Sequence, residues 1–436
     1  MLLKLSAVAL FMASSAVAFP SFIQSERLAP IFSPLDADIV PDSYFVVFKS
    51  GVRASENSAW IHDLHKRDIS INGIWDDFAS GVKHVYDMGS FQGVAGRFRS
   101  DVLDEIRKNP DVDYIERDQI VYTSEITTQN RAPWGLARIS HRKGLTLGTF
   151  NKYEHNPKGG NGVTVFVIDT GINIKHVEFE GRAEWGKTVP SGDPDTDDNG
   201  HGTHCAGTIA SRAYGVSKKA KVVAVKVLRS NGSGTMSDVV GGVEYAVDSH
   251  KALETAQGKK YKGSVANMSL GGGKSRPLDA AVANAIESGL HFAVAAGNDN
   301  RDACDYSPAG VPTAVTVGAS TLDDTRAYFS NYGRCVDIFG PGLNIESTYI
   351  GSTTAKRTLS GTSMASPHVA GLIAYYLSLA PESSSSFHSG PLTPQEMKDL
   401  LIERGTRDIL TDVKSGSPNI LIYNNAAEDR GSFYAW

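Results

Sequence analysis

Five short apolar runs rich in β-branched residues recur over the C-terminal two thirds of the chain, at 163–168, 222–228, 265–270, 292–296 and 314–317. Helical patterns lie between them at 202–212, 238–250 and 277–288. A strand that is apolar on both faces belongs in a parallel sheet covered by helices on both sides. The expected fold class is therefore α/β, a mostly parallel sheet sandwiched by helices. In such folds the chemistry gathers beyond the carboxyl ends of the strands. A longer apolar run, 369–379, follows the small-residue stretch Gly-Thr-Ser-Met-Ala-Ser-Pro-His at 361–368. Pro367 is tolerated in the first turn of a helix, where a missing N–H costs little. A helix is thus expected to begin near Ser363 and to end before Pro381. It is apolar on all sides and belongs inside a large core.

The first third reads differently. Strands are expected at 44–48, 82–88, 93–98 and 113–122, with helices at 54–67 and 101–108. That β-α-β-β-α-β order is the order of a small ferredoxin-like α+β domain. No nucleophile–base constellation falls in it, so its role reads as structural or inhibitory. A polar link, 123–131, follows and is expected to be exposed and readily cleaved. At the start of the chain, Lys4, the apolar residues 5–13 and Ala16-Val17-Ala18 have the form of a secretory signal. No later run reaches the roughly 18 apolar residues of a spanning helix, so no membrane partner is expected. A net charge of −5 without a dense basic run argues against nucleic acid. Three cysteines in an oxidising compartment imply one disulfide and one thiol. Cys304 and Cys335 lie in loop-like sequence and are paired here, while Cys205 lies in a small-residue helical stretch as a buried thiol.

Three points near predicted element ends carry chemistry. Asp169 follows the strand-like run directly, in Asp-Thr-Gly. Aspartic proteases carry this tripeptide twice, but here it occurs once. His201 lies between glycines in Asn-Gly-His-Gly-Thr-His and opens a helix. Ser363 opens the last apolar helix, where free N–H groups and the helix dipole favour an oxyanion. A hydroxyl, an imidazole to take its proton and a carboxylate to hold the imidazole are what nucleophilic hydrolysis needs.

These motifs, Val-Ile-Asp-Thr-Gly at 167–171, His-Gly-Thr-His at 201–204 and Gly-Thr-Ser-Met-Ala-Ser-Pro-His at 361–368, resemble those of the subtilisin-like serine proteases. The Asp…His…Ser order is itself a known mark of that family. Cys205 after His-Gly-Thr-His is similar to the proteinase K branch, and 133–139 and 186–188 are most similar to the cerevisin-type vacuolar proteases of fungi. The resemblance implies a serine endopeptidase made as a zymogen, divided into a signal peptide at 1–18, an inhibitory propeptide at 19–124 and a peptidase domain at 125–436. It implies Ser363 as nucleophile, His201 as general base, Asp169 as its orienting carboxylate and Asn298 as oxyanion donor. Ser269, Leu270, Gly271 and Gly272 would form one wall of the primary pocket, and Ala295, Ala296 and Gly297 the other. An extended substrate would pair with Ser269–Gly271 and with the loop at Gly232 and Gly234. Partners are then protein and peptide substrates and the chain's own propeptide, and a monomer is expected in the vacuolar lumen or outside the cell. No cofactor is needed for catalysis. By the same resemblance, the Asp337 carboxylate and the carbonyls of Pro312 and Ala314 would hold a structural calcium ion.

Other matches fail on their own chemistry. Residues 195–200 open like an EF-hand loop, but Ala206 stands where the bidentate glutamate is required. Gly273-Lys-Ser has Met268 where a P-loop needs its first glycine. Two sequons occur, at Asn231 in a loop and at Asn267 in a predicted core strand, and only the first is open to a glycan. A catalytically dead scaffold is the competing class, against which the complete set of groups argues. An esterase would carry Gly-x-Ser-x-Gly, which Ser363 does not have.

Overall fold

The computed structural model describes residues 28–33, 39–72, 81–119, 126–258, 261–380 and 392–426. The expected signal sequence lies outside them, as does the expected cleavage point between Ser124 and Glu125. The chain forms two compact units, Met1–Pro34 with Asp42–Asp118, and Leu35–Pro41 with Gln119–Trp436.

The first unit contains β1 (Ile31–Phe32), β2 (Ile39–Phe48), α1 (Ala54–Asn72), β3 (Gly81–Met88), β4 (Phe91–Arg97), α2 (Ser100–Lys108) and β5 (Val112–Gln119). Its sheet runs β1-β5-β2-β4-β3. Val102, Leu103 and Ile106 form the buried stripe of α2. They pack with Val46, Phe48, Ile61, Val94, Phe98 and Ile115 in one core. This is the expected ferredoxin-like order with the short β1 added beside β5.

The second unit begins with β6 (Thr127–Asn130), α3 (Trp134–Ile139) and β7 (Lys152–His155). Part of the expected open link is therefore strand, because β6 pairs antiparallel with β7. Then come β8 (Thr164–Asp169), β9 (Ala183–Thr188), α4 (His201–Ala210), β10 (Lys221–Lys226), α5 (Met236–Gln257), β11 (Ser264–Met268) and β12 (Gly272–Gly273). After these follow α6 (Arg276–Glu287), β13 (His291–Ala295), β14 (Tyr306–Ser307), β15 (Val315–Ser320), β16 (Ile338–Pro341), β17 (Ile345–Thr348) and β18 (Lys356–Leu359). The last elements are α7 (Thr362–Leu379), α8 (Pro394–Arg404), β19 (Thr406–Arg407) and β20 (Ile420–Leu421).

Nine strands form the main sheet in the order β19-β20-β16-β15-β13-β11-β8-β10-β9. All neighbours are parallel except β19 and β20. The five apolar runs are its middle strands, and their side chains divide between two apolar clusters. β8 lies between β10 and β11, so the strand order reverses at its carboxyl end and opens a crevice there. α7 crosses one face, touching β8, β11, β13, β15 and β16. All but three of its eighteen residues are buried, and its length is roughly 27 Å.

The last described residues belong to this core. The backbone N–H of Asn424 donates to the carbonyl of Ile139 at 2.8 Å, and the Tyr376 hydroxyl donates to the carbonyl of Tyr423 at 2.8 Å. Cys304 is joined to Cys335, and Cys205 is a buried thiol. No described helix is long and apolar enough to cross a membrane.

Candidate active site

β8 ends on Asp169, and α4 begins at His201. These two backbones approach closely because residue 202 is glycine: a Cβ there would stand 2.2 Å from the carbonyl oxygen of Gly171 and 3.2 Å from the Asp169 Cβ. Asp169 is fully buried, and both its carboxylate oxygens face His201 Nδ1, at 2.8 and 3.0 Å. Burial alone would lower the imidazole pKa. The Asp169 charge, its hydrogen bond and the charge of Asp197 outweigh that and hold it above its ordinary value. The His201 side chain is 26% exposed and opens into the cleft.

Asp197 lies in the stretch 195–200 that opens like an EF-hand loop, and its role is different. Its buried carboxylate accepts from the Thr170 hydroxyl and from the backbone N–H groups of Asn199, Gly200 and Thr203, at 2.8–3.1 Å, and from the Thr203 hydroxyl. It thus ties the Asp-Thr-Gly turn to the loop and the first turn that carry His201. Lys226, also buried, braces the same loop by donating to the Thr196 carbonyl at 2.8 Å. The only sequence signal for this arrangement is the acidic run 195–198, and it is shared by many solvated loops.

Ser363 is the second residue of α7. Its hydroxyl donates to the Ser269 carbonyl at 3.0 Å, and no described bond joins it to His201. Its own carbonyl accepts from the Ser269 hydroxyl at 2.9 Å and from the Cys205 thiol at 3.3 Å. Pro367 explains why that carbonyl has no helical partner. It stands four residues on, beyond the expected first turn, and has no N–H to return. Behind Ser269, the Asn267 amide donates to the Ser269 hydroxyl, and the Ser366 hydroxyl donates to the Asn267 oxygen. Burial pushes the Cys205 thiol well above its ordinary pKa, so it is a neutral donor. Asn267 is fully buried, and Asn231 lies exposed in its loop.

Asn298 follows β13. Its Oδ1 accepts from the Thr362 backbone N–H at 2.8 Å and from the Thr362 hydroxyl at 3.0 Å. No described residue accepts from its Nδ2, which lies 3.6 Å from where a Cβ on Gly361 would be. Gly297 beside it has φ +104°, a conformation that suits glycine.

Two cavities adjoin here and share Leu270 and Gly271. The first, about 440 Å³, is lined by His201, Gly232, Ser233, Gly234, Met236 and Ser269 among others. Gly232 and Gly234 thus face Ser269–Gly271 across it. The second, about 260 Å³, is lined by 270–273, 295–299, Tyr306, Ser307, Ala309, Thr362 and Ser363. Its wall at β12 is fixed by pairing with β14. All residues expected around the primary pocket therefore surround one hollow, apart from Ser269, which lines the neighbouring one.

The residues expected to hold calcium also converge, but on a side chain. Lys398 Nζ donates to the carbonyls of Pro312 and Ala314 at 2.7 and 2.8 Å and lies 2.8 Å from Asp337 Oδ1. The set is satisfied by an ammonium, which no sequence pattern announces. His204, three residues after His201, donates to two backbone carbonyls and is held neutral, its pKa lowered to about 4 chiefly by burial.

Comparison with known proteins agrees with this architecture. A profile of the Subtilase family matches residues 160–419, and one of peptidase inhibitor I9 matches 43–124. "Alkaline protease 2" of Aspergillus fumigatus is 56% identical over 97% of this chain and 88% of its own. "Subtilisin-like protease 8" of Arthroderma benhamiae is 56% identical over 95% of this chain and 88% of its own. The crystal structure of a cold adapted subtilisin-like serine proteinase superposes with a TM-score of 0.59 at 45% identity, covering 67% of this chain and 98% of that one. The chain belongs to the subtilase family, as a subtilisin-like serine protease that carries an I9 inhibitor propeptide ahead of its peptidase domain.

Proposed function

We propose that the enzyme is a broad-specificity endopeptidase that hydrolyses peptide bonds through Ser363, His201 and Asp169, with Asn298 as oxyanion donor. The observation that carries this reading is the Asp169–His201 pair opening into a cleft whose adjoining hollow holds Ser363. On substrate binding the Ser363 hydroxyl leaves the Ser269 carbonyl and gives its proton to His201 Nε2 as its oxygen attacks the scissile carbonyl. Asp169 keeps the other imidazole proton on Nδ1 and balances the imidazolium. The oxyanion receives the Asn298 Nδ2 and the Ser363 backbone N–H. His201 then returns the proton to the leaving amine, and water repeats the sequence on the acyl-enzyme.

Bare backbone at Ser269–Gly271 and at Gly232–Gly234 supports recognition of an extended main chain, which tolerates many side chains. The small residues around the 260 Å³ hollow support a preference for apolar or aromatic groups there. The first unit would inhibit its own peptidase until cleavage within the segment near Ser124. The signal-like start supports entry into the secretory pathway, with the vacuolar lumen or the exterior as destination, and the exposed Asn231 sequon is the glycan acceptor that entry would allow.

A fluorophosphonate probe tests the assignment. Labelling after propeptide removal that disappears in Ser363→Ala supports it, and labelling that persists in Ser363→Ala sinks it. Casein digestion that outpaces short-ester turnover separates a peptidase from an esterase.

A further inference from the structure

Three oxygens that would suit a cation converge between two strand ends and a helix. Pro312 and Ala314 lead into β15, and Asp337 leads into β16, its neighbour in the main sheet. Lys398 comes from α8, whose start is fixed by a capping box between Thr393 and Glu396. The lysine is 7% exposed. An ammonium has three donors and no acceptor, and here it meets three acceptors at 2.7, 2.8 and 2.8 Å. The other carboxylate oxygen of Asp337 is also used, accepting from the Thr316 backbone N–H at 2.8 Å.

Calcium does not fit this arrangement. It takes six to eight oxygens at about 2.3–2.6 Å, whereas these three stand at hydrogen-bond distance around a nitrogen that is covalently part of the chain. A metal could enter only if the lysine left, and Asp337 would then supply a single charge.

We infer that Lys398 is a built-in cation that takes the place of a metal ion at this position, so that the junction of α8 with β15 and β16 is held without calcium. The device is encoded in the chain and cannot be removed by chelation. β15 also pairs with β13, the strand that leads to Asn298, so the junction lies one strand away from the site.

The full chain carrying Ser363→Ala, which prevents self-digestion, allows the test by calorimetry and calcium titration. Asp337→Asn should bind as many calcium ions as its parent. Lys398→Met should lower Tm by roughly 5–10 °C, the scale for one buried charge left without its partner, and millimolar calcium should not restore it. Loss of one bound calcium in Asp337→Asn would overturn the inference, even if Lys398→Met does not fold. An unchanged Tm in Lys398→Met would overturn it as well.

Discussion

Asn298 has two polar ends, and the structure commits only one of them. Thr362 supplies two donors to Oδ1, which fixes the amide's orientation and leaves Nδ2 as a donor without a described partner. A donor that is already aimed needs no reorganisation when charge develops beside it. Asn298→Ala should therefore lower kcat about 10²–10³-fold with KM little changed, a range measured on the oxyanion donor of a subtilisin. Steady-state kinetics on a peptide nitroanilide check it, and a rise in KM at constant kcat would assign the amide to ground-state binding instead. His201 makes a second prediction at this scale. In the proposed mechanism it acts as a base only when unprotonated, and its pKa is raised above 6.5 by Asp169 and Asp197 against the effect of burial. Activity should be present above that pKa and fall as pH drops through it, so the acid limb of kcat/KM lies above 6.5. Asp197→Asn removes one of the two charges and should move the limb down while turnover persists, and an unmoved limb would refute the electrostatic account. Asp169, His201 and Ser363 were readable because each sits in a short motif at an element end. Asp197, Lys226 and Thr362 were not, since their meaning lies in partners brought together only by the fold.

The helix α7 shows the same division between local pattern and tertiary context. Its apolar run is plain in the sequence, as are the five doubly buried strands. The strands left unread have physical reasons. β9 is an edge strand whose residues Ala-Glu-Trp-Gly-Lys-Thr carry no apolar run, and β16 is only four residues long. The extension of α5 to Gln257 is largely exposed and polar, so apolar periodicity gives no sign of it. Pro367 is the instructive case. It stands inside α7 rather than in its first turn, and the carbonyl it leaves unpaired is that of Ser363. Ser269 and the weaker thiol donor Cys205 fill the gap. Ser269→Ala should cost about 1–3 kcal/mol, because that buried carbonyl then keeps only the weaker thiol donor. Pro367→Ala restores a backbone N–H at that point, so the two changes should be coupled. In urea unfolding of the Ser363→Ala protein, the double variant should lose less than the sum of the singles by about 0.5–3 kcal/mol. Strict additivity would show that the proline and the serine do not serve one carbonyl.

Across the whole peptidase unit, neutral histidines are packed into the interior. His155 lies on β7, His204 on α4, His291 on β13 and His368 on α7. Burial is the first cause in every case, lowering His155, His204 and His368 to about 4 and His291 to about 3, from an ordinary 6.5. In the unfolded chain each would take up a proton near pH 6.5, and in the folded protein only near 4 or below. Between those values the unfolded state binds more protons, so stability falls as pH falls. Their joint contribution is intact above 6.5 and is lost by about 4. Among the described residues, two groups act in the opposite sense: Asp337, raised chiefly by burial, and His201, raised by its carboxylate neighbours, are both stabilising in their protonated forms. His201 titrates above the window, and Asp337 is a single group against four. Each histidine is worth on the order of 3 kcal/mol over the full interval, and a folded protein commands only about 5–15 kcal/mol in all. Acid destabilisation should therefore set in as pH falls below 6.5, ahead of the range in which ordinary carboxylates begin to protonate. Urea midpoints of the Ser363→Ala protein should fall continuously from pH 6.5 towards 4. His368→Gln keeps a donor for the Met364 carbonyl, which His368 Nδ1 faces at 2.8 Å, while removing one titrating group, so it should flatten that slope by about one proton's worth, roughly 1.4 kcal/mol per pH unit at most. A midpoint that holds steady down to pH 4 would mean that these imidazoles are charged inside the fold or reach water there, and an interior built on neutral histidines would have to be given up.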